Sequence, residues 1–322
     1  MRVCVATTVH HPEDARIMHR QIRALLDAGH EVTYVAPFTY FNVTPVMGLR
    51  AIDVPREAGY GRANAALRRG AKGADLLIVH DHALLRALPH RRPPVVWDIR
   101  EEVTPRRLAR AERRHHVCTS SVVPEATFVS ASPPPPGDTR VVHIGRLSAE
   151  RGVAELIGLA ERLVPHGVRM DLIGPADPSV RPMLRDAQRV GLLDWFGYVP
   201  SRHALRMAEG ALAGLSLAVP EVPGVPTKVL DYMGRGLPVI TTPQAGPLVE
   251  RIGCGVVVPL DVDAAARAVL GLKDDPVRRS AFGTRGNAEA RLRHHWPDHA
   301  AAFVARMEAW AGLAAPAQPL TV

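Results

Sequence analysis

The order of apolar segments in the first 36 residues restricts this chain to a small number of folds. Arg2–Thr8 is apolar and predicts a buried strand, and Glu31–Ala36 predicts a second one. Between them, Glu13–Ala28 carries apolar residues at helical spacing and ends before Gly29, which indicates a helix. A strand, a helix and a strand in succession favour parallel pairing with a right-handed crossover. The predicted fold class is therefore α/β, with a doubly wound parallel sheet.

The same alternation begins again after a proline-rich stretch. Ser132–Gly137 reads SPPPPG, which favours the extended, stiff conformation of an interdomain linker. Arg140–Ile144 is the next predicted strand, and further helices and strands follow it. At 322 residues the chain is long enough for two domains that each bury a core. We predict a first domain over residues 1–137, a second over residues 138–296, and a last amphipathic helix over residues 297–314.

Composition narrows the class of protein. Hydrophobic residues make up 47% of the chain, and no run approaches the roughly 18 apolar residues of a membrane span. The N-terminus leads directly into the first strand without a signal-peptide pattern, so we expect a cytoplasmic protein. Three cysteines lie far apart without metal spacing, which indicates buried, reduced thiols at Cys4, Cys118 and Cys254. Arginine far exceeds lysine and proline is frequent, as is typical of a GC-rich bacterial genome.

The positive charge is concentrated in the first half of the chain. The formal net charge is +8, and residues 1–137 carry 19 basic and 13 acidic side chains. Thr104–His116 is a strongly basic helical segment, which is either a solvated face or a surface for anionic acceptors or lipid headgroups. Aromatic residues make up only 5% of the chain and no nucleic-acid-binding motif is present, so we expect no nucleic-acid partner.

The clearest chemistry lies in residues 226–241, PTKVLDYMGRGLPVIT. Pro226 and Thr227 indicate a helix start, since proline suits the first turn and a threonine hydroxyl can cap free N–H groups. Lys228 and Asp231 share one face of the first turn, where unpaired N–H groups and the helix dipole favour a phosphate. A carboxylate there can accept hydrogen bonds from the two hydroxyls of a ribose. Phosphate and diol together indicate a nucleotide; the alternative is an amphipathic helix with solvated Lys and Asp.

Two arginines flank the turn that follows Arg140–Ile144. Residues 145–152 read GRLSAERG, so Arg146 and Arg151 stand between a predicted strand and a predicted helix. Their guanidinium groups could hold both oxygens of a diphosphate and stabilise charge on a departing nucleotide. The alternative is that both are surface arginines.

Polar side chains follow the predicted strands of the first domain. His10, His11, Asp14 and Arg16 come after the first strand, at the end where open α/β sheets place ligands, although they also suit helix caps or surface groups. No GxGxxG follows this strand, which argues against a nicotinamide dehydrogenase.

Later strands in the same half end in further polar residues. His80, Asp81 and His82 follow a predicted strand, but a third ligand at metal spacing is missing, so no metal site is predicted. Asp98 closes the predicted strand Pro94–Ile99.

Five of these stretches resemble motifs of the retaining GT-B glycosyltransferases of family four. PTKVLDYMGRGLPVI resembles the nucleotide-sugar segment P-[ST]-K-x-x-E-Y-M-A-x-G-x-P-V-I, with Asp231 where the family has a ribose-binding glutamate. GRLSAERG resembles the diphosphate signature G-R-L-x-x-x-[KR]-G. VHHPEDARI, VHDHALL and PVVWDIREE resemble the family's H-P-x-x-D-x-R-I, H-D-x-x-L-L and V-V-x-D-x-H-E. The resemblance covers most of the chain and is strongest over residues 140–259.

The resemblance implies two Rossmann-like domains facing a cleft, with the last helix crossing back to the first domain. It implies transfer of a hexosyl group from a UDP- or GDP-sugar with retention of anomeric configuration, and without a metal or cofactor. Arg146 and Arg151 would stabilise the leaving diphosphate, while His80 and Asp98 would orient the acceptor hydroxyl or take its proton. The implied donor-binding residues are Gly145, Gly174, Tyr198, Val199, Pro226, Thr227, Lys228 and Asp231. The implied acceptor-side residues are His10, His11, Asp14, Arg16 and Arg100.

Three departures from the family pattern leave a second interpretation open. Pro223 stands where the family often has a donor-sugar glutamate, and Arg100 replaces a histidine. The first domain also looks shortened, because fewer than forty residues separate Glu102 from the strand at Val141. The alternatives are a catalytically silent nucleotide-sugar-binding partner of another transferase and a nucleotide-sugar epimerase. The acceptor stays open among an exopolysaccharide precursor, an antibiotic aglycone or aminocyclitol, and a phospholipid, and Tyr198 suits either the nucleobase or the core.

Overall fold

Two parallel sheets organise the molecule, as the sequence predicts. The computed structural model describes residues 1–46, 48–99, 104–115, 117–120, 126–217 and 226–312. The chain divides into two compact units, Met1–Pro124 together with Pro297–Val322, and Glu125–Trp296. The first division therefore falls earlier than the expected boundary at residue 137.

The first unit is built on six parallel strands in the order β3-β2-β1-β4-β5-β6. The strands are β1 (Arg2–Ala6), β2 (Glu31–Ala36), β3 (Arg50–Asp53), β4 (Leu76–Val79), β5 (Val95–Asp98) and β6 (Val117–Ser120). A π-helical segment, Ile17–Ile22, continues into α1 (Arg23–Asp27). The other helices before β6 are α2 (Phe38–Phe41), α3 (Tyr60–Gly70), a 3₁₀ segment His82–Ala87, and α4 (Pro105–His115). The strand order reverses between β1 and β4, which is where open α/β sheets bind ligands.

The second unit repeats this plan with the strand order β12-β11-β10-β7-β8-β9. Its strands are β7 (Arg140–Ile144), β8 (Arg169–Ile173), β9 (Asp194–Trp195), β10 (Ala213–Ser216), β11 (Val239–Thr241) and β12 (Gly255–Val257). The helices are α5 (Val153–Leu163), α6 (Arg181–Arg189), α7 (Ser201–Ala208), α8 (Thr227–Gly234), α9 (Gly246–Ile252), α10 (Val262–Asp274) and α11 (Pro276–Arg293), followed by α12 (Trp296–Trp310). Here the order reverses between β7 and β10, which places the switch point beside the end of β7.

The last helix belongs to the first unit. The chain from Pro297 onward groups with Met1–Pro124 rather than with the residues that precede it. His30 pairs with Glu308 of α12, with 3.0 Å between the imidazole Nε2 and the carboxylate. Phe303 and Met307 supply buried apolar side chains. The first unit is therefore assembled from both ends of the sequence.

The proline stretch does not act as the predicted linker, because it lies against the second unit. A side chain at Gly236 would meet the Pro133 ring at 2.8 Å, so this glycine leaves room for the proline. Arg279 donates to the carbonyl of Pro136 at 3.3 Å, and Gly137 donates to the carbonyl of Gly210 at 3.0 Å. Proline rings lack an N–H to satisfy and can be packed against an apolar surface without loss of a hydrogen bond.

A single tyrosine connects helix α8 to the two central strands of the second sheet. The Tyr232 hydroxyl accepts the N–H of Ile144 at 2.9 Å and donates to the carbonyl of Leu215 at 3.0 Å. Its ring fills the space over Gly214, where an added Cβ would lie 2.2 Å from the ring. Tyr232 is fully buried, so its hydroxyl is shielded from water.

We predict that Tyr232→Phe lowers the free energy of unfolding by about 1–3 kcal/mol, because the amide and the carbonyl lose a buried partner. Urea unfolding followed by circular dichroism measures the change. Tyr60→Phe is the control, since Tyr60 is 66% exposed and its hydroxyl can bond to water. Equal midpoints for Tyr232→Phe and the wild type would contradict the assignment.

Candidate functional site

Two glycines and a lysine meet at the carboxyl edge of the second sheet. Gly145 follows β7 and Gly174 follows β8, and both have positive φ, +135° and +151°. A side chain on Gly174 would lie 1.9 Å from the carbonyl oxygen of Gly145, so the two backbones can approach only because Gly174 lacks one. A Cβ on Gly145 would lie 3.3 Å from the Lys228 Nζ. The structure thus brings together three of the predicted donor-binding residues.

The ammonium group of Lys228 lies beside a buried imidazole. Its Nζ is 3.1 Å from Nε2 of His143, which is fully buried in β7. Burial and the nearby charge of Arg151 lower the pKa of Lys228 to about 7, while Asp231 acts in the opposite direction. Burial, Lys228 and Arg151 hold the pKa of His143 well below its usual value, so this imidazole is neutral. The Lys228 amine at the start of α8 therefore exchanges between its neutral and charged forms near neutral pH.

Arg151 lies near this lysine, and Arg146 lies near Arg151. Arg146 binds Asp177 through both ends of its guanidinium, at 2.7 and 3.0 Å, and about half of its side chain is exposed. Desolvation and the charge of Arg146 lower the pKa of Arg151, with Asp177 opposing the effect. Cations that depress one another's pKa values gain from a bound anion. The cluster of Arg146, Arg151 and Lys228 can therefore hold a diphosphate.

Asp231 lies one turn into α8, as predicted, and it has a partner that sequence reasoning missed. The Thr127 hydroxyl donates to Oδ1 of Asp231 at 2.6 Å, across 104 positions of sequence. The predicted role of Thr227 as a cap is wrong, because Pro226 occupies the cap position and Thr227 is the first helical residue. The proline ring offers no side-chain acceptor to the first turn.

The predicted nucleobase residues follow β9. Tyr198 is 38% exposed and Val199 is partly buried. Gly174 donates its N–H to the carbonyl of Gly197 at 2.8 Å. This bond holds the loop of Tyr198 and Val199 beside Gly174. An exposed aromatic ring in this place can stack on a planar base.

In the first unit, a buried ionic network surrounds Asp98 at the end of β5. Arg16 donates to both carboxylate oxygens, at 2.7 and 3.0 Å, and Gln21 donates to Oδ2 at 2.8 Å. His80 Nδ1 lies 3.2 Å from the same Oδ2. Burial favours the neutral acid, but His80 and Arg16 overcome this effect and hold the pKa of Asp98 well below its usual range. Asp98 is thus a poor proton acceptor at neutral pH and is suited to fixing the orientation of His80.

Arg16 was predicted as an acceptor-side residue, and the structure places it inside the unit. Its side chain is 8% exposed and its charge is matched by Asp98. Asp14 also has a structural partner, since its carboxylate accepts the N–H groups of Arg16 and Ile17 at 2.9 and 3.0 Å. These bonds satisfy the N–H groups at the start of the π-helical segment, which begins at Ile17 and not at the expected Glu13.

His10 and His11, which are also implied on the acceptor side, follow β1 at the carboxyl edge of the first sheet. Asp81 accepts hydrogen bonds from Thr7 Oγ1 and Thr8 Oγ1, both at 3.0 Å, and joins the ends of β1 and β4. His10 Nε2 lies 3.6 Å from Asp81. The ring of His11 packs on Phe41 at 4.7 Å, and burial lowers the pKa of this imidazole.

The remaining predictions concern residues outside the described ranges, the cysteines, metal sites and membrane spans. Arg100, Pro223 and the side chain of Cys118 lie outside the described part of the chain, whereas Cys4 and Cys254 are buried free thiols. Within the described ranges, no group of three His, Cys, Asp or Glu side chains is placed to hold a metal ion. Nor does any described helix have the length and apolarity of a membrane span.

Comparison with known proteins shows which family model and which relatives this chain is similar to. Residues 138–275 match the family model of glycosyl transferases group 1. WcaL of Escherichia coli (strain K12), named as a candidate colanic acid biosynthesis glycosyltransferase, is 26% identical over 167 residues. That match covers 48% of this chain and 41% of WcaL, so it spans less than half of the relative.

Solved structures share the fold over nearly the whole chain. Sucrose-phosphate synthase from Thermosynechococcus elongatus has a TM-score of 0.70 at 16% identity, with 97% of this chain and all of that chain covered. HepE of Anabaena in complex with UDP and glucose has a TM-score of 0.68 at 15% identity, covering 96% and 100%. The molecule therefore has the GT-B fold, with two parallel α/β sheets. The match to the glycosyl transferases group 1 model lies within its second unit.

We predict that Asp98→Asn lowers the free energy of unfolding by about 3 kcal/mol at neutral pH, because it leaves the Arg16 charge buried without a counter-ion. Urea unfolding followed by tryptophan fluorescence, to which Trp97 of β5 contributes, measures this change. Since the folded-state pKa of Asp98 is depressed, its stabilising contribution is present above the unfolded pKa of about 3.9 and is lost below it. The difference between variant and wild type should therefore shrink as the pH falls through 4.

Asp27→Asn provides the matched control. Asp27 pairs with Arg23 on the exposed surface, where removal of an ion pair costs less than about 1 kcal/mol. A similar, small effect for both variants would show that the Asp98 network is not a buried ion pair of the kind described.

Proposed function

We propose that the chain is a retaining glycosyltransferase of family four that moves a hexosyl group from a UDP- or GDP-sugar to an acceptor hydroxyl. The observation that carries this proposal is the juxtaposition of Lys228, Arg151 and the bare Gly145 turn at the switch point of the second sheet, with Asp231 one turn away. The glycosyl transferases group 1 match covers this region, and HepE, which shares the fold, was solved with UDP and glucose.

In the proposed reaction, the bond between the anomeric carbon and a donor phosphate oxygen breaks, and its electron pair moves to the diphosphate. Arg146, Arg151 and Lys228 stabilise this charge, together with the N–H groups at the start of α8. Arg146 reaches the diphosphate by exchanging or sharing its bonds to Asp177. Asp231 binds the ribose, while the backbone of Gly145 and Gly174 admits the nucleotide closely and the loop at Tyr198–Val199 borders the base.

The acceptor hydroxyl attacks the anomeric carbon, and we assign its proton to a phosphate oxygen of the leaving diphosphate. Asp98 holds its charge too strongly to take that proton, so its role is to orient His80, which in turn orients the hydroxyl. His10, His11 and Arg100 would border the acceptor. No metal or cofactor is required, because the cationic cluster supplies the positive field.

The acceptor belongs to one of three classes: a small molecule, a saccharide or a lipid-linked molecule. We place the protein in the cytoplasm, with peripheral membrane contact through the basic first unit, and we interpret that unit as a shortened acceptor domain. Arg106, Arg110 and Arg113 are exposed along one side of α4 and could contact anionic headgroups.

The second candidate is a nucleotide-sugar-binding partner without activity of its own. Pro223 and Arg100 favour it, because both replace side chains that the family uses on the donor sugar and the acceptor side. A partner of this kind would bind the nucleotide sugar without consuming it. Donor hydrolysis or transfer by the purified chain would exclude this candidate.

A thermal-shift titration with UDP, GDP, dTDP and their sugars tests the proposal, because a ligand that binds only the folded state raises the melting temperature. We expect one nucleotide to respond strongly. Asp231→Ala should lower the affinity for that nucleotide by about tenfold, because the hydrogen bonds to the ribose are lost. Arg146→Ala should mainly lower the turnover rate of the transfer reaction. The absence of any response, or wild-type behaviour in both variants, would overturn these assignments.

We also predict that nucleoside diphosphate binding weakens as the pH rises above 7. The pKa of Lys228 is about 7 in the free protein, and a bound diphosphate favours the charged ammonium and raises this pKa. Affinity should therefore be highest below pH 7 and fall by up to about tenfold per pH unit above it. Isothermal titration calorimetry with UDP between pH 6 and 9 measures the slope. Lys228→Met should bind weakly with a flat profile over this range, and an unchanged slope in that variant would exclude Lys228 as the source.

A further inference from the structure

One residue ties together the two places where the chain enters and leaves the second unit. The backbone N–H of Thr127 donates to the carbonyl of His294 at 2.8 Å, and its carbonyl accepts the N–H of Trp296 at 2.9 Å. The second unit spans Glu125–Trp296, so these bonds join a residue near its start to residues at its end. Thr127 is therefore fixed by both ends of the unit.

The side chain of the same residue is aimed at the proposed ribose carboxylate. Thr127 is 2% exposed, and its Oγ1 donates to Oδ1 of Asp231 at 2.6 Å. That distance is typical of a hydroxyl bonded to an ionised carboxylate, which is among the stronger hydrogen bonds. The bond uses one oxygen of Asp231 and fixes the direction of the other.

Packing leaves Thr127 little freedom to turn away. A Cβ on Gly234, at the end of α8, would lie 2.9 Å from the Thr127 Cγ2, so the methyl group rests against the helix backbone. A β-branched side chain has few χ1 rotamers, and with the methyl group in place the hydroxyl must face Asp231. The geometry is thus set by the fold and not by the ligand.

We infer that Thr127 is a positioning residue for the nucleotide site: it holds the Asp231 carboxylate in the orientation that accepts the ribose hydroxyls. The inference rests on the proposed ribose role of Asp231. Asp231 stands where the resembling family has a glutamate, which reaches one methylene further. A shorter side chain tolerates less error in its direction, so an external hydrogen bond that fixes it matters more.

Thr127→Val tests this inference, because it replaces the hydroxyl by a methyl group of nearly the same shape. Calorimetric titration with UDP, 2′-deoxy-UDP and 3′-deoxy-UDP measures how strongly the site prefers the intact ribose. We expect Thr127→Val to bind UDP about five- to tenfold more weakly and to lose most of its preference over the deoxy analogues. Thr127→Ser, which keeps the hydroxyl, should restore both.

A double variant separates positioning from a general weakening. If Thr127 acts through Asp231, Thr127→Val should add little to Asp231→Ala, because the carboxylate that it orients is already absent. Additive losses in the double variant would overturn the inference.

Asn287 supplies a matched structural control. Its Nδ2 donates to the carbonyls of Gly234 at 3.1 Å and Ser130 at 3.3 Å, so it ties the same segment to α8 without touching Asp231. Asn287→Ala should lower the melting temperature and leave the preference for UDP over its deoxy analogues intact. An equal loss of that preference in Asn287→Ala, or wild-type preference in Thr127→Val, would overturn the inference. A wild-type protein that binds no nucleotide would contradict the proposed function itself. That outcome is distinct from a failure of the Thr127 inference, which requires a wild-type protein that does bind.

Discussion

The hydroxyl of Tyr232 makes two buried hydrogen bonds on which the geometry of the second unit depends. One reaches the end of β7 and the other reaches β10, so helix α8 is attached to both strands that border the switch point. Lys228 and Asp231 lie on the same short helix. The position of Lys228 beside the Gly145 turn therefore follows from the packing of a fully buried tyrosine. The chemistry of the site is set by the core beneath it.

The charged side chains at the carboxyl edges of the two sheets are balanced differently. In the first unit, Asp98 is balanced by Arg16 and the ionic network is closed off from water. In the second unit, burial and Arg146 lower the pKa of Arg151, and burial and Arg151 lower that of Lys228, while Asp177 and Asp231 offset these effects only in part. A neutralised network rigidifies its surroundings, whereas an uncompensated one attracts an anion. This difference is the physical reason for placing the phosphates on the second unit.

Sequence patterns predicted the elements better than the contacts between them. The period of apolar residues located β2 and β7 to the residue, and the reading of Lys228 and Asp231 as neighbours on one helical turn is confirmed. Composition could not show that the prolines at 133–136 pack on the second unit, since stiffness is common to linkers and to packed segments. The ion pair of Arg16 with Asp98 was not visible in the sequence, because the two residues lie 82 positions apart. No sequence motif marks Thr127, and only folding brings it to Asp231. His143 in β7, by contrast, stands out in the sequence as a polar residue in an apolar strand.

The first unit is discontinuous in sequence, and this has a consequence for how the chain is made. Its sheet is complete by Ser120, yet α12, which includes Met307 and Glu308, is synthesised only after the entire second unit. On the ribosome, the second unit has all of its residues available before the first unit has its last helix. Until then, the first unit lacks the buried apolar side chains of Phe303 and Met307. The order of completion is thus the reverse of the order of synthesis, and a chain truncated near its end would lose part of the unit that was begun first.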